Sequence, residues 1–135
     1  QAFYRDQKSQ AFLHGHTFTA NPISCAAAVA SMELFEKPEV KQNIAELVLD
    51  IKNNTQNFIN HPAVKNARSI GGVGIIELHD QNAGYSSSLA ENIYEKAFEK
   101  GLYIRPIGNI IYFMPPLCAQ RHEIDWAFSV IKSCL

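Results

Sequence analysis

Ala67-Arg68-Ser69-Ile70-Gly71-Gly72-Val73-Gly74-Ile75-Ile76-Glu77-Leu78-His79 is the stretch on which the fold turns. Residues 67–70 and 73–79 read as two short strands broken by the Gly71-Gly72 pair, because glycines punctuate strands and favour turns or bulges. Downstream, residues 80–88 form a polar loop with Gly84. Residues 89–100 then carry Ile93, Ala97 and Phe98 at helical spacing, with Gly101 as a stop. Residues 102–105 and 109–113 predict a second strand pair joined through Pro106-Ile107-Gly108, and Met114-Pro115-Pro116-Leu117 ends the sheet. Residues 121–134 predict a last helix with Ile124, Phe128 and Ile131 on one face. Upstream, Asn21-Pro22 supplies a cap and a first-turn proline for an alanine-rich helix over 23–36. Pro38 opens another, with Val40, Ile44, Leu47, Ile51 and Phe58 in period, that runs to Asn60-His61-Pro62. Residues 1–19 read as an extended loop. This order predicts an α+β fold: a small antiparallel sheet of three to four strands with helices packed on one face.

At 135 residues the chain is about one domain long. Its 12 basic and 13 acidic residues leave a net charge of -1, so no basic excess points to nucleic acid or an anionic membrane. No apolar run approaches the roughly 20 residues that cross a bilayer, and the first residues lack the pattern of a signal peptide. Cys25, Cys118 and Cys134 are scattered and odd in number, which fits unpaired thiols in a reducing cytoplasm. The chain opens on Gln1-Ala2-Phe3-Tyr4 without an initiator methionine and reads as a piece of a longer protein.

Few residues carry an independent chemical signal. Gly71-Gly72-Val73-Gly74 is followed by a strand, whereas a phosphate loop needs a helix whose N-terminus faces the anion. His14 and His16 would share one side of an extended chain, yet no third metal ligand lies near them. Ser86, Ser87 and Ser88 sit in a polar loop without a nucleophile elbow. Arg105 differs: it lies among Leu102, Ile104, Ile107 and Ile110, where a guanidinium must be paired within the fold or offer its fork to an anion. Both readings stay open on the residues alone.

Three strings go further. Residues 12–28, from Phe12-Leu13-His14-Gly15-His16-Thr17 through Asn21-Pro22 to Ala26-Ala27-Ala28, resemble the loop-to-helix segment of class III aminotransferases. Gly101-Leu102-Tyr103-Ile104-Arg105-Pro106 and Ile110-Ile111-Tyr112-Phe113-Met114-Pro115-Pro116-Leu117 resemble that family's C-terminal strands, and within it the biotin-pathway members. The resemblance runs in register over essentially the whole chain.

It implies a pyridoxal-phosphate-dependent enzyme that takes an amino group from S-adenosylmethionine and gives it to 8-amino-7-oxononanoate. It also implies a homodimer in which Gly15, His16 and Thr17 reach the neighbouring subunit's cofactor phosphate. At His16, where many relatives carry proline, only the backbone role transfers. Arg105 matches the arginine that pairs with the substrate carboxylate. Tyr112 stands where relatives acting on α-carboxylates tend to have arginine. Residues 1–20 would be a linking loop from a large cofactor domain, and residues 21–135 the C-terminal small domain. The Schiff-base lysine of the family has no match here, since Lys8, Lys52 and Lys100 lie in polar or helical surroundings. An isolated chain is therefore expected to be inactive. Another ω-amino acid aminotransferase and a non-catalytic interaction module are the rival readings.

Overall fold

The computed structural model describes residues 6–11, 15–17, 19–81, 84–85 and 87–135. Phe12, Leu13, His14 and Phe18 of the first string, and Ser86, lie outside the described residues. The chain divides into two compact units, Gln1–Lys37 and Pro38–Leu135.

The first unit holds a short 3₁₀ turn at Lys8–Gln10 and helix α1, Pro22–Glu36. The Asn21 side chain accepts hydrogen bonds from the N–H groups of Ile23 and Ser24, both at 3.1 Å, which satisfies two donors that a helix start leaves orphaned. Pro22 occupies the first turn, where its missing N–H costs nothing. Just before the cap, Ala20 takes a left-handed φ of 58°, a conformation that strains any residue with a Cβ. No residue of α1 is buried; Ile23 and Met32 are among its exposed apolar side chains.

The second unit runs α2 (Pro38–Gln56), β1 (Val64–Ile70), β2 (Val73–Leu78), α3 (Leu89–Glu99), β3 (Arg105–Ile107), β4 (Ile110–Phe113) and α4 (Arg121–Cys134). The four strands form one antiparallel sheet in the order β1-β2-β4-β3. Along β2 burial alternates: Gly74, Ile76 and Leu78 are buried, while Val73, Ile75 and Glu77 are only half-buried. Gly74 lies against Ile51 and Thr55 of α2 and Phe128 of α4, which puts both helices over the same face. Leu78, Ile51, Ile124 and Ile131 are completely excluded from solvent. Each such side chain contributes about 1.5–3 kcal/mol relative to exposure. Helix α3 packs on α4 and on β3.

The α+β architecture is as expected, with several boundaries displaced. Helix α2 stops at Gln56 rather than at Asn60-His61, and the chain continues through tighter turns such as Phe58 N–H to Thr55 O at 3.1 Å. Strand β1 starts at Val64, three residues before Ala67, because a bulge between Val64 and Asn66 shifts its inward face. Strand β2 ends at Leu78, one residue short of His79.

The largest displacement is at the second strand pair. Residues 102–104 are a connection, in which Leu102 and Ile104 are buried, and the strand proper is Arg105–Ile107. The turn is Gly108-Asn109. Pro106 fits inside β3 because β3 is an edge strand.

Candidate substrate-binding site

The β3–β4 hairpin sets up the site. Its closing pair is Ile107 with Ile110, followed by Pro106 with Ile111 and Arg105 with Tyr112. Gly108 adopts φ 60°, whereas Asn109 stays outside the left-handed region, as a type II′ turn requires of its two central residues. The buried Asn109 anchors this turn to β2. Its side-chain amide donates to Leu78 O at 2.9 Å, and its carbonyl accepts from Leu78 N–H at 2.9 Å. Arg105 and Tyr112 are therefore direct cross-strand partners on the half-open face of the sheet, on the row that continues through Ile75 to Arg68.

Both residues line an open cleft of ≈ 520 Å³ together with Tyr85, Ser87, Glu91, Pro106, Ile107 and Gly108. Arg105 is exposed and forms no ion pair among the described residues. Its fork is therefore not taken up by a carboxylate among the described residues. Arg68, on the same row, is different. Its guanidinium lies 3.8 Å from Glu77, which also takes a 2.8 Å bond from Lys65. The Lys65 hydrogen bond, helped by the charges of Lys65, Arg68 and His79, holds the Glu77 carboxyl below its usual range.

Of the residues expected to touch the cofactor, Gly15, His16 and Thr17 belong to the first unit. His16 and Thr19 close a small turn. The His16 N–H donates to Thr19 Oγ1 at 2.9 Å, and the Thr19 N–H donates to His16 O at 2.9 Å. The His16 amide is therefore already engaged. Thr17 makes no hydrogen bond among the described residues, so its hydroxyl and N–H remain available. Gly15 has open space where a Cβ would stand.

Tyr85, Glu91 and Gly108 were not singled out as site residues by sequence reasoning. A lone aromatic in a Gly/Ser loop was the only local signal for Tyr85. No group of three or more His, Cys, Asp or Glu is placed to hold a metal among the described residues. No helix among them is long and apolar enough to cross a membrane.

Comparison with known proteins gives the family. Over residues 1–135 the chain matches the family model described as aminotransferase class-III. It is 34% identical over 125 residues to an adenosylmethionine-8-amino-7-oxononanoate aminotransferase of Synechococcus elongatus, covering 92% of this chain and 29% of that protein. The crystal structure of the enzyme of that name from Methanocaldococcus jannaschii superposes with a TM-score of 0.83 at 32% identity, over 93% of this chain and 30% of the other. A thermostable four-fold mutant of an omega transaminase from Pseudomonas jessenii shares the fold, with a TM-score of 0.80 at 24% identity over 92% of this chain and 29% of that one. The chain thus spans about three-tenths of the length of these relatives. A sequence match over its full length and a shared fold make this chain a member of the class-III aminotransferase family.

Proposed function

We propose that this chain is the C-terminal part of a dimeric transaminase that moves an amino group from S-adenosylmethionine to 8-amino-7-oxononanoate in biotin synthesis. The observation that carries the reading is the Arg105 guanidinium, without an ion pair among the described residues, beside Tyr112 in a cleft of ≈ 520 Å³. The relatives at 34% and 32% identity, both adenosylmethionine-8-amino-7-oxononanoate aminotransferases, support the choice of substrates. Free Cys25, Cys118 and Cys134 accord with a cytoplasmic location.

The described residues fit pyridoxal phosphate at one end. Thr17 offers an uncommitted hydroxyl and N–H, and the open space at Gly15 lets a phosphate approach the backbone. Such neutral donors hold a phosphate well. The cofactor, when bound, supplies the electron sink for amino transfer. In this chain, Thr17 would hold the phosphate of the dimer partner's cofactor. Arg105 would fix the carboxylate of the amino acceptor, far from the reacting carbon, so that remote binding energy is used for positioning. Tyr112 leaves the cleft without a second guanidinium, which accords with an acceptor that carries one carboxylate at a distance.

The test is Arg105→Ala in the full-length enzyme. A lost charge-assisted hydrogen-bonded pair should weaken the oxononanoate half-reaction about 10- to 100-fold in kcat/KM. The half-reaction with S-adenosylmethionine should be spared. Equal losses in both halves would sink the assignment. Amination by another amine with none by S-adenosylmethionine would move the enzyme to a different ω-amino acid substrate.

A further inference from the structure

Tyr85 is the most exposed large hydrophobic side chain among the described residues of the second unit, at 89% exposure, yet the backbone beneath it is firmly braced. It follows Gly84 in a tight turn closed by the Ser87 N–H donating to Gly84 O at 3.1 Å. The Ser87 hydroxyl donates to Asp80 Oδ2 and accepts from the Leu89 N–H at 3.2 Å, which ties the turn both to the end of β2 and to the start of α3. On its other side the turn rests on the β3–β4 hairpin. A Cβ built on Gly108 would stand 1.9 Å from Gly84 O and 3.1 Å from Tyr85 Cα. Gly108 is fixed in turn, because its carbonyl accepts from the Ala90 N–H at 3.2 Å.

An exposed aromatic on a loop normally has a mobile backbone. Here the loop is held at three points, at Asp80 beyond β2, at the start of α3 and at Gly108 of the hairpin that carries Arg105, and the ring lines the same cleft as Arg105, Tyr112, Pro106 and Ile107. Such bracing fixes the backbone that carries the ring at the cleft, and an aromatic side chain offers a large, rigid apolar area that loses little entropy on contact. A ligand whose carboxylate meets Arg105 has its methylene chain in that same cleft.

We infer that Tyr85, seated by the backbone contact between Gly84 and Gly108, is a specificity-determining residue that packs on the methylene chain of a carboxylate held by Arg105. The inference rests on the carboxylate role proposed for Arg105 and adds a length requirement to it. A short carboxylate ends before it meets the ring, whereas a long one is gripped at both places. Gly108 is a positioning residue, since any side chain there must push the Tyr85 turn off the hairpin.

Binding of nonanoate and of propionate to the full-length enzyme, followed by calorimetry, separates these contributions without any turnover. Tyr85→Ala should weaken nonanoate about tenfold, the equivalent of losing contact with one or two methylenes, and leave propionate unchanged. Tyr85→Phe should restore nonanoate binding, because the ring and not the hydroxyl makes the contact. Gly108→Ala should reproduce the nonanoate loss with the tyrosine still present. Should that variant fail to fold, Tyr85→Ala at the exposed site still decides the matter. Arg105→Ala should weaken both ligands. If Arg105→Ala weakens both while Tyr85→Ala weakens neither, or both alike, the specificity role of Tyr85 is overturned and the role of Arg105 stands. If Arg105→Ala changes neither ligand, the carboxylate reading itself falls and takes this inference with it.

Discussion

A Cβ on Gly74 would stand 2.6 Å from Thr55 Oγ1, 2.9 Å from Phe128 Cζ and 3.4 Å from Ile51 Cγ2. None of these neighbours can retreat cheaply. The Thr55 hydroxyl is held by its 2.7 Å bond to Ile51 O, and the Phe128 ring packs between Phe58 and Phe113 at centroid distances of 6.0 and 5.2 Å. Gly74 therefore sets how closely α2 and α4 approach β2. Gly74→Ala should destabilise the fold by about 1–3 kcal/mol, the usual cost of overpacking. Urea denaturation should show a lower midpoint with an unchanged slope. An unchanged midpoint would mean that the helices can back away. At Gly71 there is no such crowding: its φ of 50° alone favours glycine, and the space around it is open. In the sequence the two glycines belong to one short run, and only the packing tells their roles apart.

At the level of elements, β1 and β2 are joined on their half-open face by the Lys65–Glu77 bond at 2.8 Å, with Arg68 farther off at 3.8 Å. Because the Glu77 pKa is lowered in the folded state, its contribution is present above the unfolded carboxylate range. It is lost as pH falls through the folded value. The denaturation midpoint should therefore drop on acidification below about pH 4.3, the ordinary glutamate pKa. Lys65→Met should flatten that part of the profile; an identical profile in the variant would remove Lys65 as the cause. The same region shows why element boundaries were only partly legible. Helices α3 and α4 were readable because their apolar residues recur at an uninterrupted helical spacing. The start of β1 was hidden by its bulge, which breaks the period-two pattern. Residues 102–104 mimic a strand, since Leu102 and Ile104 alternate inward at 5% and 2% exposure while lying in a connection. Arg105 and Tyr112 were legible through family likeness, although their pairing across one hairpin was not, because the turn lies at Gly108-Asn109 rather than at Pro106-Ile107-Gly108. Tyr85 was not, because the approach of Gly84 to Gly108 exists only in three dimensions.

Across the whole molecule, stability is unevenly shared. Every buried apolar residue among those described lies between Leu47 and Cys134, and none lies in α1. Pro38–Leu135 accordingly has what it needs to fold alone: a sheet, three helices and a continuous core. We expect a chain cut to residues 38–135 to unfold cooperatively with a free energy within about 1 kcal/mol of the 135-residue chain, as for changes remote from the core. Calorimetry of both would check this; loss of the transition in the shorter chain would show that residues 1–37 belong to the cooperative unit.

Pro106 has a consequence beyond the site. In the β3–β4 ladder it falls between the pairs Arg105–Tyr112 and Ile107–Ile110, so the backbone position it occupies faces away from β4. A strand arriving from solvent would find no donor at the middle of the three-residue edge. The opposite edge, β1, is interrupted by its bulge and carries the Lys65 and Arg68 charges. Neither margin of the sheet is a template for lateral growth, so the fold is guarded against fibrillar self-association even with its half-open face uncovered.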